Sequence, residues 1–137
     1  MTSCQKRDLV ECFMKLEQTK VLIVDDSIDN QFILKVFLSH LKAIPDVAHN
    51  GKEAVDKATQ SSYDLILMDI MMPVMDGLEA CKEIRKHGVD TPIILVTGSA
   101  DAQDTNNSEG LFNDVLAKPV NLPELLKKIQ VIQKRAS

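Results

Sequence analysis

The chain has 137 residues, a length that makes one domain able to bury a core without staples. Its net charge of −4 and pI near 5.3 argue against a nucleic-acid face, where a basic patch is expected. No apolar run approaches a membrane span and the first residues lack a signal-peptide core, so no direct membrane contact is expected and the setting reads as cytoplasmic. Cys4, Cys12 and Cys81 are an odd set without metal-type spacing and read as free thiols in a reducing compartment.

Residues 1–19 come first, an extension ahead of the unit at 20–137. Leu9, Val10, Phe13 and Leu16 recur at helical spacing, so the segment reads as a short amphipathic helix, or else as a frayed tail or a piece of linker. Packed through Leu9, Phe13 and Leu16, it would lie on its own domain or on a second copy, making a homodimer.

A βα alternation follows. Lys20–Val24 is a buried strand ended by Asp25 and Asp26. Ser27 caps a helix to about Leu41. Ile44–Ala48 is a weaker strand, and Pro45 assigns it to a sheet edge. Asn50-Gly-Lys-Glu53 has capping-box spacing and opens a helix to about Gln60. Leu65–Met68 is apolar throughout, as in a strand buried on both faces, and Asp69 follows at once. Pro73 stops regular structure and Gly77 frees the turn into a helix from about Leu78 to Lys86, with Leu78, Cys81 and Ile84 on one face. Pro92–Val96 is a fourth strand, ended by Thr97 and Gly98. Ser99–Gly110 is polar and reads as a short, mobile helix. Asp114–Ala117 is a fifth strand, ended by Lys118 and Pro119. Asn121-x-x-Glu124 caps a last helix whose Leu122, Leu125, Leu126, Ile129 and Ile132 face inward. Alternating strands and helices make a doubly wound α/β fold, a five-stranded parallel sheet with helices on both faces.

Four strands thus end in polar groups: Asp25-Asp26, Asp69, Thr97 and Lys118. All lie at the carboxyl edge of one sheet, where ligands bind if the first and third strands are neighbours. Each residue alone is an ordinary turn or surface residue. Together they require four rim positions to be polar by accident. Three carboxylates in a small space repel one another unless a cation compensates. Mg²⁺ suits this, because it takes oxygen ligands, keeps waters and binds beside phosphates. A carboxylate nucleophile, a hard cation, a lysine and a hydroxyl donor are the parts that phosphoryl transfer to Asp needs.

Four motifs carry a family resemblance over residues 20–133: Val-Asp-Asp (24–26), Met-Asp-Ile-Met-Met-Pro-Val-Met-Asp-Gly (68–77), Val-Thr-Gly (96–98) and Leu-Ala-Lys-Pro (116–119). The chain resembles the receiver domain of two-component response regulators, in style closest to receivers of hybrid histidine kinases. The resemblance implies a flavodoxin-like (CheY-like) fold with strand order 2-1-3-4-5 and a phosphoacceptor at Asp69. It implies Mg²⁺, replaceable by Mn²⁺, held by Asp26, Asp69 and the Met71 backbone carbonyl, with Asp25 acting largely through water. Thr97 and Lys118 would contact the phosphoryl group, and Lys118–Pro119 would be a cis peptide. The phosphoryl donor would be a phosphohistidine on a sensor histidine kinase or a histidine phosphotransfer protein, with phosphorelay signalling as the role.

Three positions shape the expected behaviour. Met71 and Ser99 flank the approach of water to a phosphoryl-aspartate, and neither orients water well, so hydrolysis is expected to be slow to moderate. The family usually carries Tyr or Phe three residues before its lysine; here that switch position is Val115, which puts the usual aromatic rotation in doubt. Three other readings compete. A flavin-binding electron carrier of the same fold needs a loop rich in Ser, Thr and Gly where this chain has Asp-Asp-Ser. An aspartyl-phosphate phosphatase needs a second Asp at position 71. The complete acid set argues against a phosphorylation-independent adaptor.

Overall fold

The computed structural model describes residues 17–70, 72, 74–98 and 110–136, with side chains as far as Gln133. Five strands form one parallel sheet: β1 (Lys20–Val24), β2 (Ile44–Ala48), β3 (Leu65–Asp69), β4 (Ile93–Thr97) and β5 (Asp114–Ala117). Their order is β2-β1-β3-β4-β5, the doubly wound arrangement expected from the alternation. Four helices are described: α1 (Ile28–His40), α2 (Gly51–Gln60), α3 (Gly77–Lys86) and α4 (Leu122–Ala136). The helices expected within residues 1–19 and 99–110 fall almost wholly outside the described residues.

The core has two layers because the strand side chains alternate between sheet faces. Val21, Ile23, Leu65, Leu67, Ile94 and Val96 face α1 and α4, meeting Leu34, Leu38, Leu125, Ile129 and Ile132. Leu22, Val24, Ile66, Met68, Ile93 and Leu95 face α2 and α3, meeting Ala54, Val55, Ala80, Cys81 and Ile84. The unbroken apolar runs of β1, β3 and β4 are thus the signature of strands covered on both sides. β2 pairs only with β1, so Pro45 costs no ladder bond on its open side.

Helix starts follow local chemistry. Ser27 Oγ accepts from Asn30 N, Asn50 Oδ1 from Glu53 N, and Asn121 Oδ1 from Glu124 N. The start of α3 differs from expectation: its cap is Asp76, whose Oδ1 accepts from Glu79 N at 2.8 Å, and Gly77 is already helical. Three strand boundaries also shift by one residue. Asp69 and Thr97 are the last residues of β3 and β4 rather than the first after them, and Pro92 precedes β4, its carbonyl accepting from Ile66 N. Both polar residues are therefore held by sheet backbone.

On one flank, the Arg85 guanidinium donates to the carbonyls of Leu111, Val89 and Thr91. It ties the loop before β4 to the approach of β5. Its partial burial lowers its pKa, because desolvation disfavours the charged form. Burial likewise pushes the Cys81 thiol up to about 12, which makes it an inert core residue.

Candidate phosphoacceptor site

β1 and β3 are neighbours, and their following helices leave to opposite faces: α1 packs on one layer and α3 on the other. The carboxyl ends of the two strands therefore open a crevice between them. Asp25, Asn30, Asp69, Lys118 and Pro119 line a cleft of about 180 Å³ at this point.

Asp25, Asp26 and Asp69 each place a carboxylate oxygen within 4.8 Å of the others. Asp25 and Asp69 are buried, and Asp26 is exposed. Lys118 arrives from β5, two strands away from β3, and reaches over β4. Its Nζ lies 3.0 Å from Asp69 Oδ2 and 3.8 Å from Asp25 Oδ2. Its backbone is set by the bond from Lys118 N to Thr97 O, and the following Lys118–Pro119 peptide is cis, as the resemblance implied. Thr97 is fully buried at the end of β4, where its Oγ1 donates to Gly98 O at 3.2 Å.

The two acids of β1's end are held differently. Asp25 Oδ1 accepts from Ser27 N at 2.9 Å, and Oδ2 accepts from Asn30 Nδ2 at 3.3 Å. Both its oxygens thus already have donors. Asp26, the following residue, is exposed and keeps a carboxylate oxygen within 4.8 Å of those of Asp25 and Asp69. Three oxygen donors converging with water access fit Mg²⁺, which keeps part of its hydration shell. The donor set lacks the nitrogen and sulfur ligands that zinc favours.

The structure thus brings together Asp25, Asp26, Asp69 and Lys118, with Thr97 on the adjacent strand end. Met71 and Ser99 lie outside the described residues. Val115 is half-buried and packs against the layer under α2 and α3. The close side of the site is set by Gly77. A Cβ there would lie 2.4 Å from Asp69 O and 2.9 Å from Ile70 Cα, while Gly77 N donates to Ile70 O at 2.9 Å. Sequence reading had given Gly77 a conformational role; the structure gives it a spatial one. It also missed Asn30 and Gln31, whose amides support Asp25. The signal for Gln31 was a polar residue on the stripe 31, 34, 38, which otherwise faces the core.

The family model of the response regulator receiver domain matches residues 21–130. Among curated relatives, the transcriptional regulatory protein ResD of Bacillus subtilis is 37% identical over 123 residues, covering 88% of this chain and 50% of that protein. The chain spans about half the length of the curated relatives it matches. Among solved structures, the response regulator TrrA of Thermotoga maritima, in complex with Mg²⁺ and BeF, is 36% identical with a TM-score of 0.75. That match covers 83% of this chain and 98% of the other. The receiver domain of Ssk1 from Saccharomyces cerevisiae, solved with the histidine phosphotransfer signalling protein Ypd1, is 37% identical with a TM-score of 0.75. It covers 84% of this chain and 88% of that one. The matched span takes in β1 from Val21 on, the other four strands and the whole acidic rim, and the chain belongs to the response regulator receiver domain family, the receiving module of two-component phosphorelay signalling.

Proposed function

We propose that Asp69 accepts a phosphoryl group from a phosphohistidine. The observation that carries this is a buried carboxylate with Lys118 Nζ at 3.0 Å and two further carboxylates within 4.8 Å. An Asp69 oxygen attacks phosphorus, the P–N bond breaks, and the imidazole leaves with the electron pair and takes up a proton. Lys118 turns from Asp69 Oδ2 to a phosphoryl oxygen. Thr97 exchanges its bond to Gly98 O for another. When bound, Mg²⁺ neutralises charge between the carboxylates and the phosphoryl oxygens. Asp26 and Asp69 would supply carboxylate oxygens to it, and the Met71 backbone carbonyl, as the resemblance implies, a further oxygen. Asp25 acts through water, in keeping with the donors already on its oxygens. Mn²⁺ substitutes, because it also accepts an oxygen donor set.

Autodephosphorylation is slow on this reading, because Met71 cannot orient water. The switch at position 115 is muted. Val has no ring to turn and is stiff about χ1. Phosphorylation then acts mainly on the loops beside the site, and hydrogen exchange should change more at 69–77 and 97–110 than at 115–130. Dominant changes along β5 and α4 would refute that reading.

The donor docks on α1. Ile28, Phe32, Ile33 and Val36 are exposed, Ile28 and Phe32 by 75% and 66%. Residues 28, 32 and 36 recur every four positions, so they form one stripe beside the rim. Such a stripe fits an apolar helical face on a histidine phosphotransfer protein or kinase. The pairing of Ssk1 with such a protein supports this partner class. We infer a cytoplasmic phosphorelay with output through partner binding or onward transfer.

The test is transfer from a phosphorylated histidine phosphotransfer protein. Asp69→Asn should take up no label. Phe32→Asp should slow transfer from the protein donor while leaving labelling by acetyl phosphate intact. Equal labelling of Asp69→Asn would overturn the assignment, and equal slowing with both donors would overturn the docking face.

A further inference from the structure

Gln31 sits on the core-facing stripe of α1 and is only 6% exposed. A buried amide there requires partners for its polar atoms. Its Nε2 donates to the backbone carbonyl of Asp25 and lies 3.1 Å from Nδ1 of His49. The carbonyl can only accept, so the amide nitrogen is the atom facing it. The second N–H of that group then faces His49 Nδ1. Nδ1 is therefore the ring nitrogen with the lone pair, and the ring proton sits on Nε2.

The peptide that Gln31 grips joins Asp25 to Asp26. Its plane fixes ψ of Asp25 and φ of Asp26, and hence the direction in which the Asp26 side chain leaves the backbone. Asp25 has its own supports in Ser27 N, Asn30 and Lys118. Asp26 is exposed, and its carboxylate has no hydrogen-bond donor among the described residues. Its aim is thus set by backbone alone. The same peptide run is anchored from the other side, where Asp25 N donates to Ala48 O at 3.2 Å, next to His49. The end of β1 and the loop after β2 are tied together twice, by backbone and by the Gln31–His49 pair.

We propose that Gln31 is a positioning residue for the cation site: it locks the Asp25–Asp26 peptide so that Asp26 meets the metal, and His49 holds the Gln31 amide in that orientation. This rests on the reading of the three carboxylates as an Mg²⁺ site. It predicts an effect on metal affinity beyond any effect on folding, as for groups that orient metal ligands without touching the metal.

The test uses the whole unphosphorylated chain and Mg²⁺ alone. Calorimetric titration should show Gln31→Met, similar in length but without donors, binding Mg²⁺ about tenfold more weakly. His49→Ala should show a smaller loss, because Gln31 keeps its bond to the carbonyl. Nitrogen NMR of wild type should show His49 Nδ1 unprotonated in the neutral ring, and Gln31→Met should remove that preference. If Gln31→Met does not fold, the His49 tautomer in wild type and the affinity of His49→Ala decide. A folded Gln31→Met with wild-type affinity, a proton on His49 Nδ1 in the neutral ring, or an unaltered His49→Ala overturns the proposed Gln31–His49 clasp. A wild-type chain that binds no Mg²⁺ overturns the cation reading itself.

Discussion

Replacing Gly77 by Ala sets two effects of known sign against each other. Gly77 is the first residue of α3. In an open helix position Ala is favoured over Gly by about 0.5–1 kcal/mol. Here the added Cβ would lie 2.4 Å from Asp69 O, 2.9 Å from Ile70 Cα and 3.0 Å from Asp69 C. All three are backbone atoms at the end of β3, and none can rotate away as a side-chain tip could. Overpacking of this kind costs about 1–3 kcal/mol. The clash wins, and we expect a net loss of about 1–2 kcal/mol. The strain falls on the peptide that carries Asp69, so the rate of labelling by acetyl phosphate should fall as well. Urea unfolding reads the first effect as a lower midpoint at unchanged slope. Gly88 is the control: its φ is +81° and nothing lies within 4 Å of a Cβ built there. Gly88→Ala should lose about 1–2 kcal/mol through its left-handed backbone and leave labelling unaltered. A Gly77→Ala chain as stable as wild type, or more so, would refute the steric argument.

Other expectations concern the rest of the chain. Asp46 accepts from Tyr63 Oη at 2.6 Å and from Lys57, and the Tyr63 bond above all lowers its carboxyl pKa despite partial burial. A folded value below the unfolded one stabilises above the unfolded pKa and loses that contribution as pH falls through the folded value. The stability gap between wild type and Asp46→Asn should therefore be full near pH 7 and close in acid; a gap constant down to about pH 2 would refute this. Burial, and then the bond to Asp46, raise Tyr63's pKa above its ordinary value. It is the single tyrosine, so alkaline absorbance titration should show its ionisation displaced upward, less so in Asp46→Asn; an ordinary value in wild type would count against the pair. Val74 has φ 73° and is 80% exposed. Val74→Gly should relieve about 1–2 kcal/mol of backbone strain against about 0.5–1 lost to chain entropy, a net gain in urea midpoint; a lower midpoint would show the side chain is needed. We propose that residues 1–19 pack through Leu9, Phe13 and Leu16, each worth roughly 1.5–3 kcal/mol before ordering costs. Deleting residues 1–18 should then lower the melting temperature or shift the sedimentation coefficient, and no change in either would make the segment passive.

The rim of the sheet was legible because each of its residues stands where an apolar strand run stops, in β1, β3 and β4 a run covered on both faces. Such strands are written as unbroken apolar runs, so Asp25, Asp69, Thr97 and Lys118 are marked by where the run stops. Parallel order then places those stops at one edge. Three features escaped the same reading. The Asp76 cap was masked by the neighbouring Gly77, a stronger turn signal whose real constraint is the space beside Asp69. The clasp of Arg85 on three carbonyls depends on loops brought together only by the finished sheet, and backbone acceptors leave no mark on composition. The Gln31–His49 pair joins residues from different βα units. Its one local trace is an amide at a core-facing position of α1.

In the proposed mechanism Asp69 takes the phosphoryl group with help from Asp26, a cation and Lys118. Intact mass measurement after incubation with acetyl phosphate and Mg²⁺ tests it most directly. Wild type should gain the mass of one phosphoryl group, the gain should vanish with chelator, and Asp69→Asn and Asp26→Asn should gain none while remaining folded. A wild-type chain that gains no mass, or an Asp69→Asn chain that gains as much, would contradict the account.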